Sequence, residues 1–271
     1  MGIARLDHVV LVVEDLPGAS ADFETLGFTV TPGGEHKDLG TRNALVGFSD
    51  GSYLELIAFG EAQRVVGSPQ ATADHPAFNR VDVWRRRGPG LVDFALLPTN
   101  ITQDIALAGE RGLALCEPLP GARVRPDGLQ VSWQFGFPDA FDLPFLCADV
   151  TPRSRRVPEG SAAEHRNGSR GISGVTVAVK DLVKSTARYA ALLGFAAEER
   201  PRVVDSTVSA AEFALGDTCL TLTAPEDQRG PLQNRLRLRG QGPCALQLRG
   251  GGSAVLPPEY TQGARIELTS A

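Results

Sequence analysis

An internal repeat constrains the fold of this chain more than any other feature of its sequence. Residues 7–16 align with 173–182 at an offset of 166, and both segments run from a short apolar strand into an Asp-Leu pair. The helices that follow end in the same phrase, Leu-Gly-Phe, at 26–28 and at 193–195. Because self-similarity at a fixed period marks a repeated structural unit, we expect the chain to contain copies of one such unit.

The order of elements within a unit follows from the first copy. Residues 6–13 predict a strand, Asp15 is suited to cap a helix, and Gly27 is suited to end that helix. Three further strands are predicted over 28–31, 43–49 and 52–59. The Asp-Gly pair between the last two strands favours a hairpin turn. Each unit is therefore expected to be a strand, a helix and three strands.

Weaker copies complete the chain. Between the two clear units, the predicted elements are a strand over 91–97, a helix over 101–110 and extended pieces near 113–116, 128–136 and 143–149. The last piece, 243–271, has little room for a helix, and its predicted strands are 244–249 and 264–269. It is interpreted as a truncated fourth unit. Residues 60–89 are predicted to form a long polar link between units one and two.

A composition change divides the chain into halves. The stretch 152–170 is rich in Pro, Arg, Ser and Gly and has no apolar period, so we predict a linker there. The first half is then 1–151, with units at 5–60 and 90–150, and the second half is 171–271. We expect an α+β fold in which tandem βαβββ units form curled mixed sheets around a cleft, with the helices outside.

Composition also excludes several classes of function. The chain has 27 Lys and Arg against 32 Asp and Glu, a net charge of -5, which gives no electrostatic case for nucleic acid or an anionic membrane. No stretch approaches the roughly 18 apolar residues of a membrane span, and the first residues lack a secretory signal pattern, so we expect a cytoplasmic protein. The four cysteines show no C-x-x-C pair, which favours reduced thiols.

Alternation along the strands singles out three ionisable residues. One face of each unit is bulky and apolar, whereas the other is small or polar and suited to line a hollow. The hollow side of unit one carries His8 and Glu55, and Asp93 stands at the His8 position in unit two. A buried carboxylate is costly unless it is paired, solvated or bound to metal. The alternatives are a hydrogen-bonded strand histidine, a solvated glutamate and an aspartate at the rim.

Several phrases carry a resemblance to a known family. They are LDHVV at 6–10, the Leu-Gly-Phe helix ends, GSYLELI at 51–57, TPGGEHKDLGTRNAL at 31–45 and HRNG at 165–168. Together with the repeated unit, they resemble the vicinal oxygen chelate superfamily, which includes glyoxalase I, extradiol dioxygenases and bleomycin-resistance proteins, and within it the glyoxalase-like domain branch. The resemblance implies paired units that curl into a half-open barrel with a metal ion in the cleft.

The resemblance also implies which residues hold the ion. In the superfamily, first strands supply His or Gln and last strands supply Glu, so His8 and Glu55 match both positions. Asp93 takes the second His or Gln position if units one and two pair. If units one and three pair, Gly174 and Thr221 stand in place of the ligands. We therefore expect either a divalent ion such as Zn, Mn, Fe, Co or Ni, or no metal.

Four more residues are candidates for contact with a ligand. His36, Arg42 and Asn43 cluster at a predicted loop and strand start. They either stabilise a turn or bind a small oxygenated molecule at the mouth of the cleft. Trp133, in a predicted strand, either walls the pocket or fills the core.

Three hypotheses about function follow. The first is a metal-dependent lyase or dioxygenase on a small oxygenated substrate, with His8, Glu55 and Asp93 on the metal and Glu55 or Asp93 as the base. The second is a metal-free protein that binds small molecules or drugs, as bleomycin-resistance proteins do. The third is a structural module. The sequence leaves the oligomeric state open, and a homodimer is compatible with all three.

Overall fold

The computed structural model describes residues 3–60, 76–198, 207–227 and 229–270. These residues form the expected α+β fold, with two curled mixed sheets. The predicted polar link at 60–89 lies only in part among them, because residues 61–75 fall outside the described ranges.

Unit one follows the predicted order of elements. These are β1 Ile3–Val12, α1 Leu16–Thr25, β2 Thr31–His36, β3 Thr41–Gly47 and β4 Tyr53–Phe59. Asp15 caps α1, since its carboxylate accepts a hydrogen bond from the Gly18 N–H at 2.8 Å. Gly27 ends the turn after α1 at a φ of +86°, which glycine adopts without strain. The strand predicted over 28–31 is wrong, because Phe28 packs into the core and β2 begins at Thr31, where pairing with β3 starts.

The sequence did not indicate a helix before unit two or one of the strands within that unit. Unit two follows α2 Pro76–Arg87 and consists of β5 Gly90–Pro98, α3 Ile101–Glu110, β6 Leu119–Val124, β7 Gln130–Gly136 and β8 Phe145–Asp149. The interpretation of 60–89 as a link is wrong for α2, whose residues Ala77, Val81 and Trp84 join an apolar cluster. The piece predicted near 113–116 forms only an isolated bridge at Leu115, and the strand lies in β6 instead.

Units one and two close on each other. Neighbouring strands follow the order β1-β4-β3-β2-β6-β7-β8-β5, and β5 pairs with β1, so eight strands form a closed barrel. β1 runs parallel to β4 and antiparallel to β5. Of the two pairings that the sequence left open, the structure therefore has unit one with unit two.

The alternation of β1 separates two apolar clusters and places the site. Val9 and Leu11 belong to the larger cluster, which includes residues of α1, α3 and α5. Val10 and Val12 belong to a second cluster with Trp133, on the other side of the strand. His8 precedes Val10 and Val12 by the same two-residue step, so its side chain shares the inner face of the barrel.

The predicted linker is firmly attached to the first half. It contains α4 Arg153–Arg156 and a 3-10 turn, Gly160–Ala163. Arg156 donates two hydrogen bonds to the carboxylate of Asp7. His165 accepts a hydrogen bond at Nδ1 from the Thr29 N–H at 3.0 Å, and its Nε2 lies 2.9 Å from the Gly47 carbonyl oxygen. Linker residues therefore contact Asp7 in β1 and the carbonyl oxygen of Gly47 in β3.

The second half repeats the same pairing without closing. Its elements are β9 Gly171–Ala178, α5 Leu182–Leu193, β10 Val208–Leu215, β11 Thr218–Pro225, α6 Pro231–Arg239, β12 Gly242–Arg249, β13 Ala254–Val255 and β14 Arg265–Thr269. The six strands are ordered β10-β11-β9-β12-β14-β13. β9 runs parallel to β11 and antiparallel to β12, as β1 does with β4 and β5. Among the described helices, none has the length and apolar character needed to cross a membrane.

Candidate functional site

A cavity lies inside the barrel of units one and two. Its volume is about 40 Å³, which is enough for a few waters, an ion or a compact ligand. Its polar lining consists of His8, His36, Tyr53, Glu55, Arg123 and Arg156. Its apolar lining consists of Leu39, Ile57, Trp84, Trp133, Phe135, Phe145 and Cys147. Four predicted site residues, His8, His36, Glu55 and Trp133, thus line one cavity.

His8 is fixed in one orientation. Its Nδ1 lies 2.7 Å from Asp7 Oδ2, and because the carboxylate can only accept, Nδ1 carries the proton. The ring is stacked on Tyr53 with centroids 4.6 Å apart and meets Phe145 edge to face. The other nitrogen, Nε2, lies 3.6 Å from Glu55 Oε2. The ring of His8 therefore presents Nε2 to the Glu55 carboxylate.

Asp7 stays charged although it is fully buried. Arg156 Nη1 and Nη2 approach its two oxygens at 2.9 and 3.0 Å, and Arg153 Nη1 lies 2.6 Å from Oδ1. Burial by itself raises the pKa of Asp7. The charge of Arg156, the hydrogen bond from His8 and the charge of Arg153 outweigh burial and hold the pKa well below its ordinary value. A carboxylate in this state keeps His8 in a single tautomer.

Glu55 is held from β3 and faces a second histidine. Asn43 Nδ2 donates to Glu55 Oε1 at 2.6 Å, and His36 Nε2 lies 3.9 Å from the same oxygen. His36 Nδ1 is 3.0 Å from Thr41 Oγ1. Burial lowers the pKa of His36 to about 4, against the opposing charge of Glu55. His36 is therefore neutral at pH 7, with Nε2 turned towards the Glu55 carboxylate.

The other residues that were predicted to contact a ligand lie in different environments. Trp133 lines the cavity and meets His36 edge to face, with ring centroids 5.7 Å apart. Asn43 is buried on Glu55. Arg42 is exposed on the outer face of β3, away from its buried neighbours Thr41 and Asn43. The roles of these residues in binding stay predictions, and Arg42 has the least geometric support.

Asp93 is not brought to the pair of His8 and Glu55. Arg80 holds its carboxylate through Nε at 2.6 Å and Nη2 at 3.0 Å, and Trp84 Nε1 donates to it at 2.8 Å. The placement of Asp93 at the His8 position is corrected by the strand pairing, in which His8 stands opposite Ala95. In the same ladder Asp93 stands opposite Val10, two residues away from the His8 position on the same strand face.

Unit two lacks the residues that would make the site symmetric. Tyr53 of β4 pairs with His8, and Phe145 of β8 pairs with Ala95, so Tyr53 and Phe145 are equivalent. Glu55 lies two residues after Tyr53, and the equivalent residue in β8 is Cys147. Burial raises the pKa of the Cys147 thiol, so it is not a ready thiolate ligand. In the second half of the chain, Gly174 and Thr221 take the corresponding strand positions. The candidate site therefore belongs to unit one.

Three donor groups could hold a divalent ion. They are Nε2 of His8, Nε2 of His36 and the carboxylate of Glu55, with nitrogen–oxygen separations of 3.6 and 3.9 Å. Ligand atoms around a tetrahedral zinc ion with bonds near 2.1 Å are about 3.4 Å apart, which the separation of His8 and Glu55 nearly matches. The three donor atoms do not all lie within 4.8 Å of one another, so an ion held by all three requires at least one separation to close by more than about 1 Å. The donor chemistry, imidazole and carboxylate, suits such an ion.

A different trio is more compact but chemically unsuited. Over the described ranges, the group of ligating side chains whose donor atoms all lie within 4.8 Å of one another is Asp7, His8 and Cys147. The carboxylate of Asp7 is already taken by Arg153 and Arg156, and the Cys147 thiol is protonated. The adjacent guanidinium groups would also repel a cation. The nitrogen of His8 that faces Glu55 is the better donor.

Sequence reasoning missed four residues of the site. Asp7 stands beside His8 in the strand, and this adjacency was a usable signal. The position of Tyr53, two residues before Glu55 on the same strand, was a second usable signal. Arg123 lies on β6, which was not predicted, and Arg156 lies in the linker, so neither had a signal in the sequence.

Comparison with known proteins agrees with this architecture. None of the curated proteins matches the chain. Among solved structures, a hypothetical protein from Staphylococcus aureus is similar with a TM-score of 0.74 and 14% identity, covering 98% of this chain and 99% of that one. A mutant 4-hydroxymandelate synthase from Streptomyces coelicolor has a TM-score of 0.59 and 16% identity, covering 92% and 71%. A xylose isomerase-like TIM barrel/4-hydroxyphenylpyruvate dioxygenase fusion protein has a TM-score of 0.53 and 17% identity, covering 92% and 37%.

These likenesses are shared folds at low identity, whereas the family follows from the sequence match. The model of the glyoxalase-like domain matches residues 6–193, which is more than half of the 271 residues. The match spans β1, the closed barrel, the linker and unit three up to the end of α5. The chain therefore belongs to the glyoxalase-like domain family.

Proposed function

We propose that this protein is a metal-dependent enzyme of the glyoxalase and dioxygenase type that acts on a small oxygenated substrate inside the closed barrel. The observation that carries the proposal is the approach of His8 Nε2 to Glu55 Oε2, at 3.6 Å, in a buried cavity. The fold shared with a 4-hydroxymandelate synthase and a dioxygenase fusion protein supports the class of reaction.

The proposed ligands are His8, His36 and Glu55, and each already has a second partner. Asp7 fixes Nδ1 of His8, and Thr41 contacts Nδ1 of His36. Asn43 donates to Oε1 of Glu55. Partners of this kind set the tautomer and orientation of metal ligands. We therefore propose His36 as a ligand and Asn43 as a positioning residue, and we leave Asp93 out because Arg80 and Trp84 take up its carboxylate.

The chemistry of the site follows from the residues that line it. A divalent ion held there would act as a Lewis acid on a substrate oxygen. Glu55 is the proposed proton acceptor, because its Oε1 is bound to Asn43 while Oε2 is turned towards His8. The aromatic rings of Trp84, Phe135 and Phe145 line the cavity, and an apolar wall of this kind strengthens electrostatic interactions inside.

Metal binding tests the proposal directly. The protein is purified without chelator, analysed for bound metal, stripped, and titrated with Co²⁺ and Mn²⁺. We expect one ion per chain in the wild type, loss of that ion in His8→Ala and Glu55→Gln, and weaker binding in His36→Ala. The matched control is Glu35→Gln, since Glu35 is an exposed glutamate on β2 and should not affect uptake.

Thermal unfolding of each variant confirms that it is folded before its metal content is compared. If the stripped wild type takes up neither ion, or if His8→Ala and Glu55→Gln bind metal as the wild type does, the metalloenzyme proposal is wrong. A metal-free binding protein would then be the better hypothesis.

A further inference from the structure

Two buried N–H donors of the cavity have no acceptor. Within the described part of the chain, neither Arg123 Nε nor Trp133 Nε1 has a hydrogen-bond partner. Both residues line the cavity, and their exposed fractions are 4% and 5%. A buried donor left unpaired costs about 1–3 kcal/mol, and native proteins rarely leave one without reason. Two such donors beside one enclosed space indicate that a ligand supplies the acceptors.

Strand pairing places Arg123 and Trp133 diagonally across from each other on neighbouring strands. Arg123 and Gly121 are two residues apart on β6, so their side-chain directions share one face, and Gly121 pairs with Trp133 on β7. A Cβ atom at Gly121 would lie 2.3 Å from Trp133 Nε1, so only glycine leaves room for the indole there. Arg123 is fixed as well, because its Nη2 donates to the Arg156 carbonyl oxygen at 2.7 Å.

Arg123 also forms no close ion pair among the described residues. Carboxylates pair with its neighbours Arg125, Arg153 and Arg156, whereas across the described ranges none forms such a pair with Arg123. The positive charge of Arg156 is balanced at close range by Asp7 and Asp149, whereas Glu55 acts on Arg123 only from beyond ion-pair distance. Burial lowers the pKa of Arg123 and the charge of Glu55 opposes this, which agrees with a guanidinium that has lost water without gaining a close ion pair.

We infer that the cavity binds a small carboxylate with an apolar body, whose carboxylate oxygens accept hydrogen bonds from Arg123 Nε, with Trp133 Nε1 as a second donor. A guanidinium is well matched to a carboxylate, and the aromatic wall around Phe135 and Phe145 suits an apolar body. The inference rests on the proposed function, since it names the substrate class of the same site. It assigns Arg123 and Trp133 to binding, on the side of the cavity formed by β6 and β7.

Benzoate is the probe, with benzamide as its uncharged counterpart and inorganic phosphate as an anion of different shape. Binding to the full chain is measured by calorimetry, once in the presence of a chelator and once with Mn²⁺. We expect benzoate to bind at least tenfold more tightly than benzamide or phosphate in both conditions. Arg123→Met should weaken benzoate at least tenfold and benzamide less than twofold, and Trp133→Phe should weaken benzoate about threefold.

Arg125→Met is the matched control, because Arg125 lies on the same chain segment, is partly exposed and pairs with Asp127. Should Arg123→Met fail to fold, Arg123→Lys keeps the charge but loses Nε, and we expect a threefold to tenfold loss for benzoate. Equal affinity for benzoate and benzamide, no effect of either Arg123 variant, or tight phosphate binding would overturn the inference.

The two conditions separate this inference from the proposed function. Benzoate preference that persists with chelator while no metal is ever taken up refutes the metalloenzyme and keeps the carboxylate site. Benzoate binding that requires Mn²⁺ and ignores Arg123 shows that the carboxylate binds the metal, and it overturns the inference alone.

Discussion

We expect Arg156 to contribute more to the free energy of unfolding of the first half than any exposed arginine does, because it neutralises a carboxylate that has no access to water. Asp7 is 0% exposed, and Arg156 donates to both of its oxygens at 2.9 and 3.0 Å. Removing one partner of a buried ion pair costs about 3–5 kcal/mol. Arg153 Nη1 stays 2.6 Å from Asp7 Oδ1, but its side chain is 20% exposed and so compensates in part. We therefore expect Arg156→Met to lower the free energy of unfolding by about 3 kcal/mol.

The assay is equilibrium unfolding in urea at neutral pH, followed by the fluorescence of Trp84 and Trp133, both of which lie in the first half. Arg155→Met is the control, because Arg155 is the exposed neighbour on α4, and a change below about 0.5 kcal/mol is expected. In an Asp7→Asn background the loss caused by Arg156→Met should shrink to about 1 kcal/mol, since the buried charge is gone. A full loss in that background, or an effect of Arg156→Met no larger than that of Arg155→Met, would refute the reasoning.

Three further predictions concern the linker, a helix end and the site. Burial lowers the pKa of His165 below its ordinary value, although the Gly47 carbonyl opposes this, so the unfolded state binds the proton first and stability falls as pH drops below about 6.5. Urea midpoints from pH 8 to 5 should fall less in His165→Gln than in the wild type, and the loss that remains in the variant comes from His36, whose pKa burial also lowers. Gly112→Ala should lower the free energy of unfolding by about 1 kcal/mol, because Gly112 has a φ of +86°. Gly109→Ala should raise it by about 0.5 kcal/mol, because Gly109 lies near the end of α3 with open space around it. Thermal melts that rank the two variants the other way contradict this. Asn43→Ala should leave the fold intact and weaken metal binding roughly tenfold, since Glu55 loses its fixed orientation, and unchanged Co²⁺ affinity would speak against that role.

Local patterns were sufficient wherever the structure depends on local chemistry. α3 has the bounds that the sequence predicted, 101–110, because its cap residue and apolar spacing lie within one short segment. The Asp residues that begin α1 and α5 cap them as expected. The approach of His8 to Glu55 was also accessible, because both lie on the same face of strands that are neighbours within one unit.

What the sequence could not determine depends on contacts between distant segments. α2 has a polar sequence and is a helix because Val81 and Trp84 pack against the barrel. β6 is a strand because it forms backbone hydrogen bonds with β7. His36 reaches Glu55 from β2 only because the ladders of β2, β3 and β4 are in register.

The sequence by itself determined the repeated unit, the family resemblance and the first pair of site residues. The tertiary structure decided that unit one closes with unit two, that Ala95 rather than Asp93 stands opposite His8, and that Arg123 and Arg156 enter the cavity. The physical reason is that alternation encodes which face a side chain takes along its own strand. The partner strand, its register and any bulge are set by packing across the whole barrel, which no local pattern records.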